Sequence, residues 1–179
     1  MGCSRGPLAR LMGAMLLGGL AAGAPLNGPQ WVNAEAFGRW DAPLSQCRMS
    51  SLGRPEQPCR RLRLEQNLEG LLSIRFVGDG QGGLLASEEL TFAGVLGEGH
   101  QPMHCRSDGR CREPLQPVQL MVGSVAWASF NSRGLVEGLP QARLARGQCR
   151  LALRMIRCEA REDSASGGAN WTAEGKIGS

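Results

Sequence analysis

His100, Met103 and His104 fall within one short stretch, with Cys105 directly after them. Two imidazoles and a thioether are soft ligands of the kind that suit copper or zinc. Pro102 lies between them and forbids the regular helix that would align both histidines. The chain has 2 histidines, His100 and His104, so a Ser–His–Asp set would have to draw on them too. No Gly-x-Ser-x-Gly elbow is present to supply the nucleophile. Glu88–Glu89 and Glu162–Asp163 are adjacent carboxylates; on strands, neighbours point to opposite faces, which suits solvation better than acid–base work. The reading is therefore a non-enzyme with no cofactor. The 100–104 loop is kept as a candidate copper or zinc site, and an unrecognised hydrolase as the catalytic alternative.

The remaining chemistry belongs to cysteine. Cys47, Cys59, Cys105, Cys111, Cys149 and Cys158 follow a segment that reads as an export signal, and Cys3 lies inside that segment. An even count in an exported chain points to a disulfide framework. Cys105 and Cys111 frame a hairpin with loop residues 107–109, in which Gly109 takes the left-handed position. Arg106 and Arg110 close the loop, and the two cysteines meet in the next pair, where strands approach closely enough for a bridge. Cys149 and Cys158 admit two readings. As a helix, residues 140–162 would align Arg143, Arg146, Arg150, Arg154, Arg157 and Arg161 in a stripe. That helix would hold the two cysteines about 13 Å apart by rise alone, so that they would pair with Cys47 and Cys59 instead. As a hairpin with its tip at Leu153–Arg154, the segment sets Cys149 opposite Cys158. Gly147 weighs against the helix, while Leu and Arg suit the tip poorly. The hairpin is preferred, which gives Cys47–Cys59, Cys105–Cys111 and Cys149–Cys158.

The export reading rests on Arg5 and Arg10 ahead of the apolar run Leu11–Ala24, which is too short to span a bilayer as a helix. Cleavage after Ala34 has the better flank; the alternative, after Ala24, is followed by Pro25. Residues 1–34 are thus read as signal peptide, with no membrane span once it is removed. The formal charge is +4, of which the signal carries Arg5 and Arg10 and no acid. The remainder is close to balanced, which excludes a nucleic-acid footprint. Lys176 is the sole lysine and tyrosine is absent, a bias expected of a GC-rich bacterial genome.

The elements that would position these residues are strands. The chain has 26 glycines and 10 prolines, spread as turns between short apolar runs. Leu62 and Leu64 alternate with Arg61, Arg63 and Glu65; Leu72, Ile74 and Phe76 with Ser73 and Arg75; Leu90, Phe92 and Leu96 with Glu89, Thr91 and Ala93; and Trp171, Ala173 and Ile177 with Thr172, Glu174 and Lys176. Period-2 alternation means a strand with one buried face. In 115–130, Val118, Leu120, Val122, Ala126, Ala128 and Phe130 share one parity, and Met121, Val125 and Trp127 the other. That predicts a central strand covered on both faces and bent at Gly123. Asn67–Gly70 and Asn131–Gly134 read as turns. The Gly-rich stretch 78–83 lacks the following helix that a phosphate cradle needs. Residues 35–58, broken by Pro43, Gly53, Pro55 and Pro58, are expected to be irregular, with an antiparallel β domain over 59–179. The fold class is mostly β: a small antiparallel barrel or sandwich built of hairpins and stapled by disulfides.

The phrases Phe130-Asn131-Ser132-Arg133-Gly134-Leu135, Gly138-Leu139-Pro140, Gly147-Gln148-Cys149 and Arg157-Cys158-Glu159-Ala160 resemble small exported proteins of marine cyanobacteria. The resemblance covers the last third of the chain. It implies export to the periplasm, thylakoid lumen or extracellular space, and supplies no site residues. Function is expected to be that of a non-catalytic binding or structural module of the cell envelope, with an envelope protein or small ligand as partner. An alternative is a carrier holding a small apolar ligand inside a barrel, where Trp127 and Trp171 would line the pocket.

Overall fold

The computed structural model describes residues 37–51, 53–67, 70–80, 85–101, 103–164 and 168–178. The segment 1–34 expected to be a signal, with both expected cleavage sites, Cys3, Pro102, and parts of the 78–83 and 162–169 loops lie outside the described residues. The strands are β1 (Gly38–Ser51), β2 (Gln57–Gln66), β3 (Leu71–Asp79), β4 (Leu85–Leu96), β5 (Val118–Asn131), β6 (Val136–Ala152), β7 (Met155–Glu162) and β8 (Asn170–Ile177). Each pairs antiparallel with the one before it, and β8 closes on β1. Of the two architectures left open by the sequence, the chain forms the barrel.

Alternation explains closure. Leu62, Leu64, Ile74, Phe76, Leu90 and Phe92 are fully buried at every second position, while Arg63, Arg75 and Glu89 point outward into ion pairs. Burying each large apolar side chain contributes about 1.5–3 kcal/mol. A strongly twisted meander with one apolar face reaches that burial by curling until its ends pair. An eight-stranded barrel is just wide enough for side chains to fill, and here they do. Phe76 and Phe92 meet edge to face with centroids 6.1 Å apart. Several outward side chains are ion-paired, among them Arg48 with Glu174, Arg63 with Asp41 and Arg75 with Glu89. Among the described residues no helix is long and apolar enough to cross a membrane.

Three disulfides join Cys47 to Cys59, Cys105 to Cys111 and Cys149 to Cys158. The 105–111 hairpin has the expected register: Arg106 N–H donates to the Arg110 carbonyl at 2.8 Å, and Gly109 has φ 77°. It folds onto the start of β1, where Cys111 N–H donates to the Arg39 carbonyl at 2.8 Å. Gly38 lies at the point of closest approach, since a Cβ there would lie 2.9 Å from Cys111 Sγ.

Residues 140–162 form the hairpin, and Cys149 faces Cys158 across β6 and β7. Its tip carries the expected strain: Leu153 and Arg154 have φ 50° and 63°. Arg154 is held there by Ile177 N–H, which donates to its carbonyl at 2.8 Å, and by its ion pair with Glu113. Leu153 is 97% exposed and has no packing to lose. Leu153→Asn should therefore raise the unfolding free energy by about 0.5–1 kcal/mol, because asparagine tolerates the left-handed region. A denaturant midpoint shifted upward at constant m-value would show it.

Two expectations are corrected. The stretch 35–58 is not irregular: β1 occupies Gly38–Ser51 and the domain begins there rather than at residue 59. Ala42, Leu44, Cys47, Met49 and Ser51 are its buried positions. The period slips by one residue at Ser45–Gln46, where the register shifts and Gln46 takes φ 50°. A bulge re-aims the strand and lets it accommodate Pro43, and it also breaks the alternation that reveals a strand. The second correction concerns β5, which is not covered on both faces. Val118, Leu120 and Val122 point inward, then the register shifts between Val122 and Ser124, and Val125 and Trp127 point inward instead. The two parities are one buried face interrupted by a bulge at Gly123.

Candidate binding surface

The outer face of the barrel is not uniformly charged. Leu71 of β3 lies opposite Val95 of β4, and Val95 opposite Met121 of β5. These outward side chains are 44%, 51% and 48% exposed. Packing of the barrel interior gives no reason to set three large apolar residues in one exposed cross-strand row. Beside it runs a row of small residues: Ser73, Ala93 and Ser124 are successive partners, and Ser124 faces Leu144 of β6. The small side chains make the floor of an open groove of ≈ 890 Å³, with Phe37, Leu71 and Leu144 among its walls.

The row Leu71–Val95–Met121 continues into polar residues, since Met121 pairs with Gln148 and Gln148 with Glu159. One step along, Arg150 of β6 faces Arg157 of β7. Like charges directly opposite on adjacent strands oppose folding. Arg157 is compensated: its guanidinium donates to Glu174 Oε2 at 2.8 Å, and Arg48 binds the other carboxylate oxygen from the far side. Those two hydrogen bonds, Arg48 first and Arg157 second, hold the Glu174 carboxyl below the usual carboxylate range. Arg146 and Arg161 form a second facing pair, with Arg146 bound to Asp163 at 3.0 Å. Arg150 lines a hollow of ≈ 300 Å³ with Gln119, Gln148, Met155 and Arg157. Two cations, two amides, a thioether and the Glu159 carboxylate, which accepts from Gln148 Nε2 at 3.2 Å, converge there, beside the apolar row.

Four of the arginines that a helix would have stacked in a stripe are thus distributed as cross-strand pairs, while Arg143 faces Val125 and Arg154 sits at the hairpin tip. The signal was present in the sequence. Once Cys149 faces Cys158, Arg150 must face Arg157 and Arg146 must face Arg161. The apolar row was not legible, because it combines residues from three strands whose register only the fold provides.

The strand edge near this surface is blunted. β7 pairs with β6 only from Ala145 onward, so Val136–Leu144 has β5 as its one ladder neighbour. Pro140 has no N–H to offer, and the Arg143 guanidinium donates to the Ala142 carbonyl at 3.3 Å. Both are devices against strand addition.

The 100–104 loop does not assemble. Met103 is 5% exposed and packs in the core, whereas His104 beside it is exposed. His100 Nδ1 is 2.9 Å from the Pro117 carbonyl, and Cys105 is consumed by its disulfide. Among the described residues no three His, Cys, Asp or Glu side chains are grouped to hold a metal. Trp127 and Trp171 are buried core residues at 1% and 5% exposure. Glu89, outward, pairs with Arg75 at 3.1 Å, and Glu88 points into the barrel.

Compared with known family models, curated proteins and solved structures, the chain matches none.

Proposed function

We propose that this chain is an exported, non-catalytic binding module that docks onto an acidic protein of the cell envelope. The observation that carries the reading is the exposed row Leu71–Val95–Met121 lying against the facing pair Arg150 and Arg157. An apolar centre flanked by arginine is the composition of a protein–protein interface. Glu174 already compensates Arg157, so a carboxylate-bearing segment laid across β5–β7 would serve Arg150 and cover the apolar row in the same contact. Export is supported by the disulfides, which persist in oxidising compartments, and by the apolar N-terminal segment with its resemblance to exported proteins of marine cyanobacteria. The periplasm, thylakoid lumen or extracellular space would each serve.

A ligand carried inside the barrel would have to displace side chains such as Phe76, Phe92 and Trp127, all at most 1% exposed. The outer surface needs no such rearrangement.

The test uses the protein immobilised against envelope fractions. An acidic protein should be retained at about 0.1 M salt and released near about 1 M, where charge is screened within about 3 Å. Val95→Lys with Met121→Lys should lose that protein, as should Arg150→Gln with Arg157→Gln, while melting temperatures stay within a few degrees of the parent. Equal retention by both variants would reject the surface. Turnover of a substrate by the pure protein would reject the non-catalytic reading.

A further inference from the structure

The end of the barrel bounded by the β1–β2 and β5–β6 turns carries a buried polar cluster that packing alone does not account for. Glu88 of β4 shares the inward parity of Leu90 and Phe92, and is 4% exposed. The Ser129 hydroxyl of β5 donates to its Oε1 at 3.3 Å. Its other oxygen, Oε2, is buried without a protein hydrogen-bond partner, and so is the indole N–H of Trp127. A buried carboxylate oxygen left without a donor is costly.

Arg54, on the turn between β1 and β2, covers this cluster. Its guanidinium carbon sits 4.8 Å from the centroid of the Trp127 ring. Its Nη1 is 3.9 Å from Glu88 Oε1, within ion-pair range but too long for a hydrogen bond. The tether is short, since Arg54 N–H donates to the Ser51 carbonyl at 3.1 Å. Arg54 therefore lies on the aromatic face without reaching the oxygen that needs a proton donor.

We infer that Glu88, Trp127 and Ser129 form a binding site for a small organic cation, and that Arg54 is the chain's own occupant of it. The ring face, the adjacent carboxylate and the bound guanidinium together define the ligand class. A flat guanidinium stacks on an indole and presents a fork of N–H donors that matches both oxygens of a carboxylate. An untethered one reaches Oε2, which Arg54 does not. A quaternary ammonium would use the ring but leave Oε2 unpaired, so the site should prefer guanidinium to tetramethylammonium. The entry step is displacement of Arg54, whose side chain is 33% exposed. This site is separate from the outer docking surface.

The probe is methylguanidinium chloride, with sodium chloride matched for ionic strength and tryptophan fluorescence as the readout. Arg54→Ala should bind it about tenfold more tightly than the parent, because an internal competitor occupying most molecules lowers apparent affinity by that factor. Adding Glu88→Gln to Arg54→Ala should abolish saturable binding, and tetramethylammonium should bind more weakly than methylguanidinium throughout. Competition by a capped arginine peptide would trace the natural guanidinium to a partner's side chain; its failure to compete would trace it to a free small molecule. The unaltered protein provides a second readout should Arg54→Ala fail to fold. Millimolar methylguanidinium should raise its melting temperature by mass action, and the same salt should not do so for Glu88→Gln. No saturable binding to Arg54→Ala, or binding undiminished by Glu88→Gln, would overturn the inference. So would a melting temperature in the unaltered protein that does not respond.

Discussion

Phe76→Ala should lower the unfolding free energy by about 3–5 kcal/mol, a large share of the roughly 5–15 kcal/mol that holds a domain together. Phe76 is fully buried at the centre of β3 and makes the edge-to-face contact with Phe92 at 6.1 Å. Truncation removes the transfer energy of a benzyl group, leaves a cavity that the barrel wall resists closing, and forfeits about 1 kcal/mol of aromatic pairing. Met121→Ala, by contrast, removes a side chain that is 48% exposed, and should shift stability by no more than about 0.5 kcal/mol. Urea unfolding of the two variants against the parent measures both. A cost below about 1 kcal/mol for Phe76→Ala would mean that the interior already has room to spare, reopening the ligand-carrier reading.

Cys149→Ser with Cys158→Ser should cost at least about 2.5 kcal/mol, the loop-closure term for a cross-link of this span. Burial adds to it. Both cysteines are at most 1% exposed and belong to the apolar core with Leu120, Leu151 and Ile156, so the replacement buries two hydroxyls, which is costly unless they find partners. The pair also holds together the hairpin whose tip is strained at Leu153 and Arg154. Thermal unfolding under non-reducing conditions should therefore show a melting temperature lowered by roughly 10 °C or more for a domain of this size. Cys105→Ser with Cys111→Ser should cost less, because that bridge closes a shorter loop and Cys111 is only partly buried. If the order of the two were reversed, the 105–111 hairpin and its contacts with the start of β1 would be the more important staple.

Strands β2, β3, β4 and β8 were legible because Leu62/Leu64, Leu72/Ile74/Phe76, Leu90/Phe92 and Trp171/Ala173 keep an unbroken period of two, and a period survives without knowledge of partners. The cysteine pairs were legible for a related reason. Each bridge is local: turn geometry around Gly109 sets the register of Cys105–Cys111, the hairpin preferred over a helix at 140–162 sets that of Cys149–Cys158, and Cys47–Cys59 is the pair that remains. β1 was hidden by the bulge at Ser45–Gln46, and β5 was misread through the bulge at Gly123. In both, one extra residue reverses which side chains point inward, and a pattern search sees noise where the chain has a single buried face.

The candidate surfaces divide along the same line. The facing arginines 150/157 and 146/161 follow from one hairpin register and were implicit in the sequence. The apolar row Leu71–Val95–Met121 draws on β3, β4 and β5, and the Arg54–Trp127–Glu88 cluster draws on a turn and two strands. Their distances are set by strand order and shear around the closed barrel. What the sequence by itself determined, then, is what neighbours along the chain govern: the β class, most strands, the Cys105–Cys111 hairpin and the sharp turns. What only the tertiary structure decided is the choice of barrel over sandwich, hairpin over helix at 140–162, and which residues meet in the two candidate surfaces. Closure and inter-strand register arise from the joint packing of all eight strands, and no local segment encodes them.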